Sequence, residues 1–138
     1  MAFPQTSQHQ SVAHVRVRYA ETDKMGVVYY ANYLVWFEVG RCEWLRATGC
    51  TYRQLEAEGT ILPVIEAHCE YRRPLRYDDE VEIRARGSLL SPVRIMFYYY
   101  VVPAGASEPS ATGWTEHAGT DTEGRPRRPP TFVRRLFA

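Results

Sequence analysis

Tyr19-Ala-Glu-Thr-Asp23-Lys-Met-Gly26-Val-Val-Tyr-Tyr30-Ala-Asn32-Tyr33 decides how this chain is read. The stretch joins a β-type run to a long helical run through a short turn that contains glycine. It places one carboxylate, Asp23, inside that turn. A carboxylate can attack a carbonyl carbon or deprotonate a water. Backbone N–H groups at a helix start can hold the oxyanion that such an attack creates. The combination is that of an acyl-transfer site.

Upstream of the stretch, Val12 to Tyr19 alternates, with Ala13, Val15, Val17 and Tyr19 on one side and His14, Arg16 and Arg18 on the other. That pattern predicts a half-buried strand. Downstream, residues 32–48 read as the one long helix. Leu34, Phe37, Arg41 and Leu45 keep helical spacing, as do Tyr33, Phe37, Gly40 and Trp44. The apolar arc is wide, as suits a helix wrapped by a sheet. Asn32 is read as its N-cap and Gly49 as the left-handed residue beyond its end. Gly40 costs roughly 1 kcal/mol of helix propensity against Ala, which a close approach to a sheet would explain. Glu38 and Arg41 share a helix face and are expected to pair.

Further on, 52–58 reads as one or two helical turns. Four strands are expected after it, over 61–71, 80–86, 93–102 and 110–120. Pro63 marks the first of these as an edge strand or the site of a bulge. Both faces of 93–102 are apolar or aromatic, so both are expected to be covered. Residues 1–10 are polar and expected to be disordered, 11–138 to form a single domain, and the Pro- and Arg-rich tail from about 124 to be irregular. The order is thus one strand, a long helix, then four strands. One sheet of this size cannot cover both the helix and its own second face, so assembly of several copies is expected.

The chain has 138 residues, 45% hydrophobic and 24% charged, with a net charge of +1. These values suit one soluble globular domain and do not suggest attraction to nucleic acid. No apolar run reaches the about 18 residues of a membrane span. The start lacks the basic and apolar regions of a secretory signal. Three cysteines, Cys42, Cys50 and Cys69, have no metal-type spacing, and a reducing cytoplasm is the expected setting.

The order D-x-x-G-V-V-Y-x-x-N-Y, followed by Phe37, Glu38, Arg41 and Glu43 to Arg46, resembles the 4-hydroxybenzoyl-CoA thioesterase family of hotdog-fold enzymes. It is most similar to the YbgC-like acyl-CoA thioesterase branch. The resemblance covers roughly residues 12–131 and is most specific between Tyr19 and Arg46. It implies an α+β hotdog fold, an antiparallel β-sheet wrapped around one long central helix. It also implies dimers joined edge to edge, with the sites at the dimer interface, and further packing into tetramers. The implied activity is hydrolysis of a small or medium acyl-CoA, with no cofactor.

Onto that resemblance the candidate residues are carried one at a time. Asp23 corresponds to the catalytic carboxylate, which acts either as nucleophile, through an acyl-enzyme anhydride, or as the base for water. Gly26 lets the turn close tightly. The backbone N–H of Tyr30, with the helix start, is implied to polarise the thioester carbonyl. The YbgC-like branch usually has His at that position, and the 4-hydroxybenzoyl branch has Tyr, so His-assisted chemistry is not expected here. The Tyr30 side chain either lines the acyl pocket, donates through its hydroxyl, or packs in the core or an interface. Tyr19 and Tyr29 are candidate pocket residues, and Asn32 a brace for the loop. Arg127 and Arg128, in Gly124-Arg-Pro-Arg-Arg-Pro-Pro, resemble the family's arginine-containing ending and are candidates for the CoA phosphates.

Other chemistries find no support. His68 and His117 alternate into strands without a metal-type partner, and no H-x-x-x-H, C-x-x-C or D-x-D set occurs. There is no G-x-S-x-G elbow and no phosphate- or dinucleotide-binding fingerprint. Hotdog dehydratases need a histidine in the helix region, and none lies between Met25 and Thr60. The alternative outside enzymes is a module that binds an acyl-CoA, an acyl carrier or another protein without turning it over, with Tyr98-Tyr99-Tyr100 as a partner surface.

Overall fold

The computed structural model describes residues 9–137. In chain order the elements are β1 (Ser11–Arg16), a 3-10 turn (Tyr19–Glu21), α1 (Asn32–Thr48), α2 (Tyr52–Ala57), β2 (Val64–Tyr71), β3 (Glu80–Ser91), β4 (Arg94–Pro103), β5 (Ala111–Ala118) and α3 (Thr131–Leu136). The strands form one sheet of order β1-β3-β4-β5-β2, antiparallel throughout. Alternation along β3 and β4 sends Val81, Ile83, Ala85, Ile95, Phe97, Tyr99 and Val101 to the buried face. Against that face lies α1, the α+β arrangement the resemblance implies.

The buried residues of α1 are Tyr33, Trp36, Phe37, Gly40, Trp44 and Leu45. The row through Phe37, Gly40 and Trp44 therefore meets the sheet, while Leu34, Val35 and Val39 face outward. The Phe37 ring stacks on Tyr99 at 4.2 Å, and Trp44 meets Phe97 edge-on at 5.4 Å. Fully burying a side chain the size of Phe37 or Leu45 contributes roughly 1.5–3 kcal/mol. Gly40 is where the helix backbone seats on the sheet. A Cβ there would stand 2.9 Å from Ile83 Cγ2 and 3.4 Å from the Ala85 Cβ. Gly49 closes the helix in the left-handed region at φ 91°.

Several expectations are corrected. Asn32 is not the N-cap; it is the first helical residue, and Ala31 before it already has helical angles (φ −69°, ψ −21°). The chain enters α1 through overlapping turns, Asn32 N–H to Tyr29 O and Leu34 N–H to Ala31 O, which leave no extended cap residue. Arg41 makes no ion pair with Glu38 among the described residues. It lies beside the phenols of Tyr99 and Tyr52, with Glu38 the weakest of the neighbours acting on it. The strand expected over 12–19 stops at Arg16, because the chain then coils into the 3-10 turn. β3 is longer than expected and pairs with β4 as far as Ser91 opposite Arg94.

The tail is not irregular throughout. α3 carries Val133 inward, and Phe137 is wholly buried, stacked on Trp44 at 4.7 Å. Three arginines and three prolines in the preceding residues mask this short apolar pattern in the sequence. Of the expected disordered segment, residues 1–8 lie outside the described ones. His9 rests on Trp44, whose indole N–H donates to His9 O at 2.9 Å.

β2 is an edge strand, as Pro63 suggested, with a register irregularity between Val64 and Glu66. Nearly all of it is exposed on both faces, including Val64, Ile65 and Tyr71. No helix among the described residues is long and apolar enough to cross a membrane.

A buried polar chain ties β4, β5 and the segment before β2 together. Leu62 O can only accept, so His117 Nδ1–H donates to it at 3.0 Å. His117 Nε2 then accepts from the Thr115 hydroxyl at 2.8 Å, and Thr115 Oγ1 accepts from Tyr99 at 2.6 Å. Burial pushes the His117 imidazole down to about 4, although the bond to Leu62 favours its proton.

Two outcomes are expected. Gly40→Ala gains about 1 kcal/mol of helix propensity, but over-packing against the fully buried Ile83 costs about 1–3 kcal/mol. Urea denaturation should show a net loss of about 1 kcal/mol. For His117, the unfolded imidazole takes up a proton near pH 6.5 while the folded one resists until about pH 4. Stability should be unaffected by this group above pH 6.5 and fall by about 3 kcal/mol as pH drops through that window. His117→Gln should flatten the pH dependence of the urea midpoint between those values.

Candidate active site

The loop between the 3-10 turn and α1 is held by Glu21, which is only 5% exposed. Its Oε1 accepts the Arg18 N–H at 2.8 Å, and its Oε2 accepts the Trp36 indole N–H at 3.0 Å. The Arg18 guanidinium stands 3.5 Å away. The Glu21 carbonyl accepts from the Tyr29 N–H and from Asn32 Nδ2, both at 2.8 Å. One residue thus joins the beginning of the loop, its end and the first turns of α1. Asn32 braces the loop as expected, though from inside the helix.

Within the loop, Thr22 pairs with Val28. The Asp23 N–H donates to Val27 O and the Gly26 N–H to Asp23 O, each at 2.9 Å. Gly26 has φ 78°, a region that costs a Cβ-bearing residue energy. Asp23 Oδ1 accepts the Met25 N–H at 2.8 Å, which fixes the side chain against its own turn. Among the described residues, no donor meets Oδ2. The loop docks on the segment after β2 through the Val28 N–H, which donates to Leu75 O at 2.8 Å.

Beside this turn is an open cleft of about 320 Å³. Its wall includes Asp23, Met25, Tyr30, Tyr33 and Tyr71, with Arg72 and Arg73. Among the described residues, no protein acceptor meets the N–H of Tyr30 or of Ala31. Such groups at a helix start carry the positive end of the helix dipole. The cleft therefore combines a fixed carboxylate with unpaired main-chain donors, the components an acyl transfer uses.

The wall is aromatic. Tyr30 lies 4.6 Å from the Tyr29 ring and meets Tyr71 edge-on at 6.5 Å, and Tyr71 meets Tyr33 edge-on at 5.0 Å. The Tyr71 hydroxyl donates to Tyr30 O at 2.9 Å. Burial pushes the Tyr33 phenol up to about 12, and burial and the Cys69 thiol raise Tyr71. Both remain neutral donors at ordinary pH. The Tyr29 phenol is raised first by the Tyr30 hydroxyl and least by the charge of Asp23.

The sequence-predicted residues divide. Asp23 and Tyr30 share the cleft, Gly26 shapes its turn, and Tyr29 packs on Tyr30. Tyr19 is not on the cleft wall; it is exposed and packs edge-on against Tyr77 at 6.0 Å. Arg127 is committed elsewhere, with Nη1 on Gly59 O at 2.8 Å and Nη2 on Glu58 at 3.0 Å. Those partners precede β2, whereas the Asp23 cleft adjoins its far end, about 23 Å along an eight-residue strand. Arg128 is exposed. Glu21 and Tyr71 are the residues that sequence reading missed. A buried glutamate has no periodic signature, and only the need of the Trp36 indole for an acceptor hinted at it. Tyr71 is distant in sequence and reaches the site only through sheet pairing. No group of three metal-ligating side chains comes together among the described residues.

The family model of the Thioesterase-like superfamily matches residues 17–137, which take in the whole loop, the cleft and all but the first strand. The chain belongs to that superfamily. Among relatives of this thioesterase-like chain, the Bacillus subtilis (strain 168) protein named "Putative acyl-CoA thioesterase YneP" is 36% identical over 116 residues, 83% of each chain. The acyl-CoA thioester hydrolase YbgC of Escherichia coli O157:H7 is 36% identical over 65% of this chain and 67% of its own. The solved DHNA-CoA thioesterase of Staphylococcus aureus superposes with a TM-score of 0.81 at 32% identity, over 86% of this chain and 80% of that one. The hotdog fold of the thioesterase-like chain is thus shared with solved relatives.

Glu21→Gln tests the keystone of the thioesterase-like loop. An amide offers one acceptor and one donor where two donors now converge, so the Arg18 or the Trp36 N–H loses its partner. A loss of about 1.5–3 kcal/mol is expected in urea unfolding followed by tryptophan fluorescence.

Proposed function

We propose that this chain hydrolyses the thioester of a small or medium acyl-CoA to the free acid and CoA, with Asp23 as the catalytic carboxylate. The observation that carries this reading is the cleft whose wall holds both Asp23 and Tyr30, beside the helix start where the Tyr30 and Ala31 amides have no protein acceptor among the described residues. The kinship with acyl-CoA thioesterases supports the choice of substrate. Asp23 either attacks the thioester carbon, giving an anhydride that water then opens, or takes a proton from the attacking water. In both routes the Tyr30 N–H steadies the carbonyl oxygen as it gains charge, an effect of about 3–4 kcal/mol per donor in well-studied enzymes. The sulfur leaves as the thiol of CoA, which the substrate itself supplies.

The active form proposed is a homo-oligomer, built on a dimer joined at β2. An exposed edge strand with apolar side chains on it is a surface that pairing would cover. The cleft adjoins the end of that strand, so a second copy would close it. Further packing of dimers into a tetramer is part of the same proposal. The CoA phosphates, carried away from the cleft by the extended pantetheine arm, are assigned to the exposed Arg128, since Arg127 beside it is held by Glu58. Tyr29 is assigned to the acyl pocket beside Tyr30. The setting proposed is the cytoplasm, where the free thiols of Cys42, Cys50 and Cys69 would stay reduced.

The test is release of free thiol from a panel of acyl-CoA esters, short, long and aromatic. Asp23→Asn keeps an acceptor for the Met25 N–H and so preserves the turn. It should lower kcat at least 100-fold while the melting temperature stays within a few degrees. Full activity in that variant would overturn the assignment. Binding of acyl-CoA by calorimetry without thiol release in the unaltered protein would favour the binding-module reading instead.

A further inference from the structure

We infer that Tyr71 is a positioning residue for the oxyanion site: its hydroxyl, reaching across from β2, fixes the Tyr30–Ala31 peptide and so aims the Ala31 N–H as a second donor. The inference rests on the hydrolase reading above and adds a residue and a donor to it.

The amides at the start of α1 belong to two peptide groups. The Tyr29–Tyr30 peptide is held by its carbonyl, which accepts the Asn32 N–H at 2.9 Å. The carbonyl of the Tyr30–Ala31 peptide accepts from the Tyr33 N–H only at a long 3.4 Å. Its shorter bond, 2.9 Å, comes from the Tyr71 hydroxyl. A peptide group is planar, so fixing that carbonyl fixes the Ala31 N–H on its opposite side. A hydrogen bond into the carbonyl also polarises the group and strengthens its N–H as a donor.

Tyr71 is built for this task from both sides. Its ring stands edge-on to Tyr30 and to Tyr33, which restricts its rotation. The Cys69 thiol approaches the hydroxyl from the same strand, but a carbonyl is the better acceptor and takes the phenolic proton. Tyr71 and Tyr30 both line the cleft that holds Asp23. The bond also crosses from the loop to the edge strand, so any shift of β2 is felt directly at the donor pair.

Tyr71→Phe removes the hydroxyl and keeps the ring packed. With the acyl-CoA that the unaltered protein turns over best, kcat should fall about tenfold, part of the 100- to 1000-fold loss typical of deleting a whole oxyanion donor. KM should stay within twofold and the melting temperature should be unchanged. In ¹⁵N–¹H spectra of the free protein, the Ala31 amide nitrogen should shift, since it shares the peptide that loses its bond. Asp23→Asn, the companion control, should lower kcat at least 100-fold and leave the Ala31 signal in place. Wild-type kcat in Tyr71→Phe, or a loss confined to KM, would overturn the inference while leaving Asp23 in its role. An unmoved Ala31 signal would overturn it as well. Should the unaltered protein release thiol from no acyl-CoA, the hydrolase reading fails, and the Ala31 signal alone then decides whether Tyr71 holds this peptide.

Discussion

The carboxylate of Glu21 answers donors from two directions, and its own carbonyl answers two more. A buried acid is expensive to desolvate unless its oxygens are met. Here the main chain of Arg18 and the indole of Trp36 meet them, and both are themselves held by other structure. The result is a loop whose two ends and supporting helix share one anchor. Asp23 inherits its position from that anchor rather than from contacts of its own, which amount to its turn and the Met25 amide. Asp23 is left with a free oxygen because its neighbour two positions earlier does the holding.

How far this was legible in the amino-acid order depends on whether a residue acts locally. The turn at Asp23 and Gly26, the length of α1 and the strand alternation are local properties, and they were readable. Gly40 was readable too, since a glycine in mid-helix asks for a reason and the sheet supplies one at Ile83 and Ala85. Asn32 was misassigned because cap and first-turn positions differ only in backbone angles. Arg41 was misassigned because helical spacing made Glu38 available, while the nearby Tyr99 and Tyr52 phenols were invisible in one dimension. Tyr71 and Phe137 could not be placed at all without knowing which strands adjoin. In each case the missing information was the pairing of distant segments.

The interior also shows how polar groups can be kept in an aromatic core. Tyr99, Thr115 and His117 form a directional chain that ends on Leu62 O, in which the Thr115 hydroxyl both donates and accepts. The direction is set from one end, since a carbonyl cannot donate. Burial keeps His117 neutral, and the bond to Leu62 O then fixes its tautomer. The chain crosses from the sheet to the segment that leads into β2, so it connects the packed centre with the open edge. That edge contrasts with the rest: it is long, exposed on both faces and partly apolar. A sheet finished in this way leaves a row of backbone donors and acceptors open to pairing.

The seating of α1 on the sheet at Gly40 has a consequence for how such a protein could change its taste in substrates. With the helix backbone resting directly on Ile83 and Ala85, there is no slack to retract it and deepen a cavity, and bulk cannot be added beneath it. Under the proposed function, adaptation to a new acyl group is thereby steered toward Met25, Tyr30, Tyr71 and their surroundings, where side chains border open space. The floor beneath the helix is closed to such change, and the mouth of the cleft is where side-chain size is free to vary.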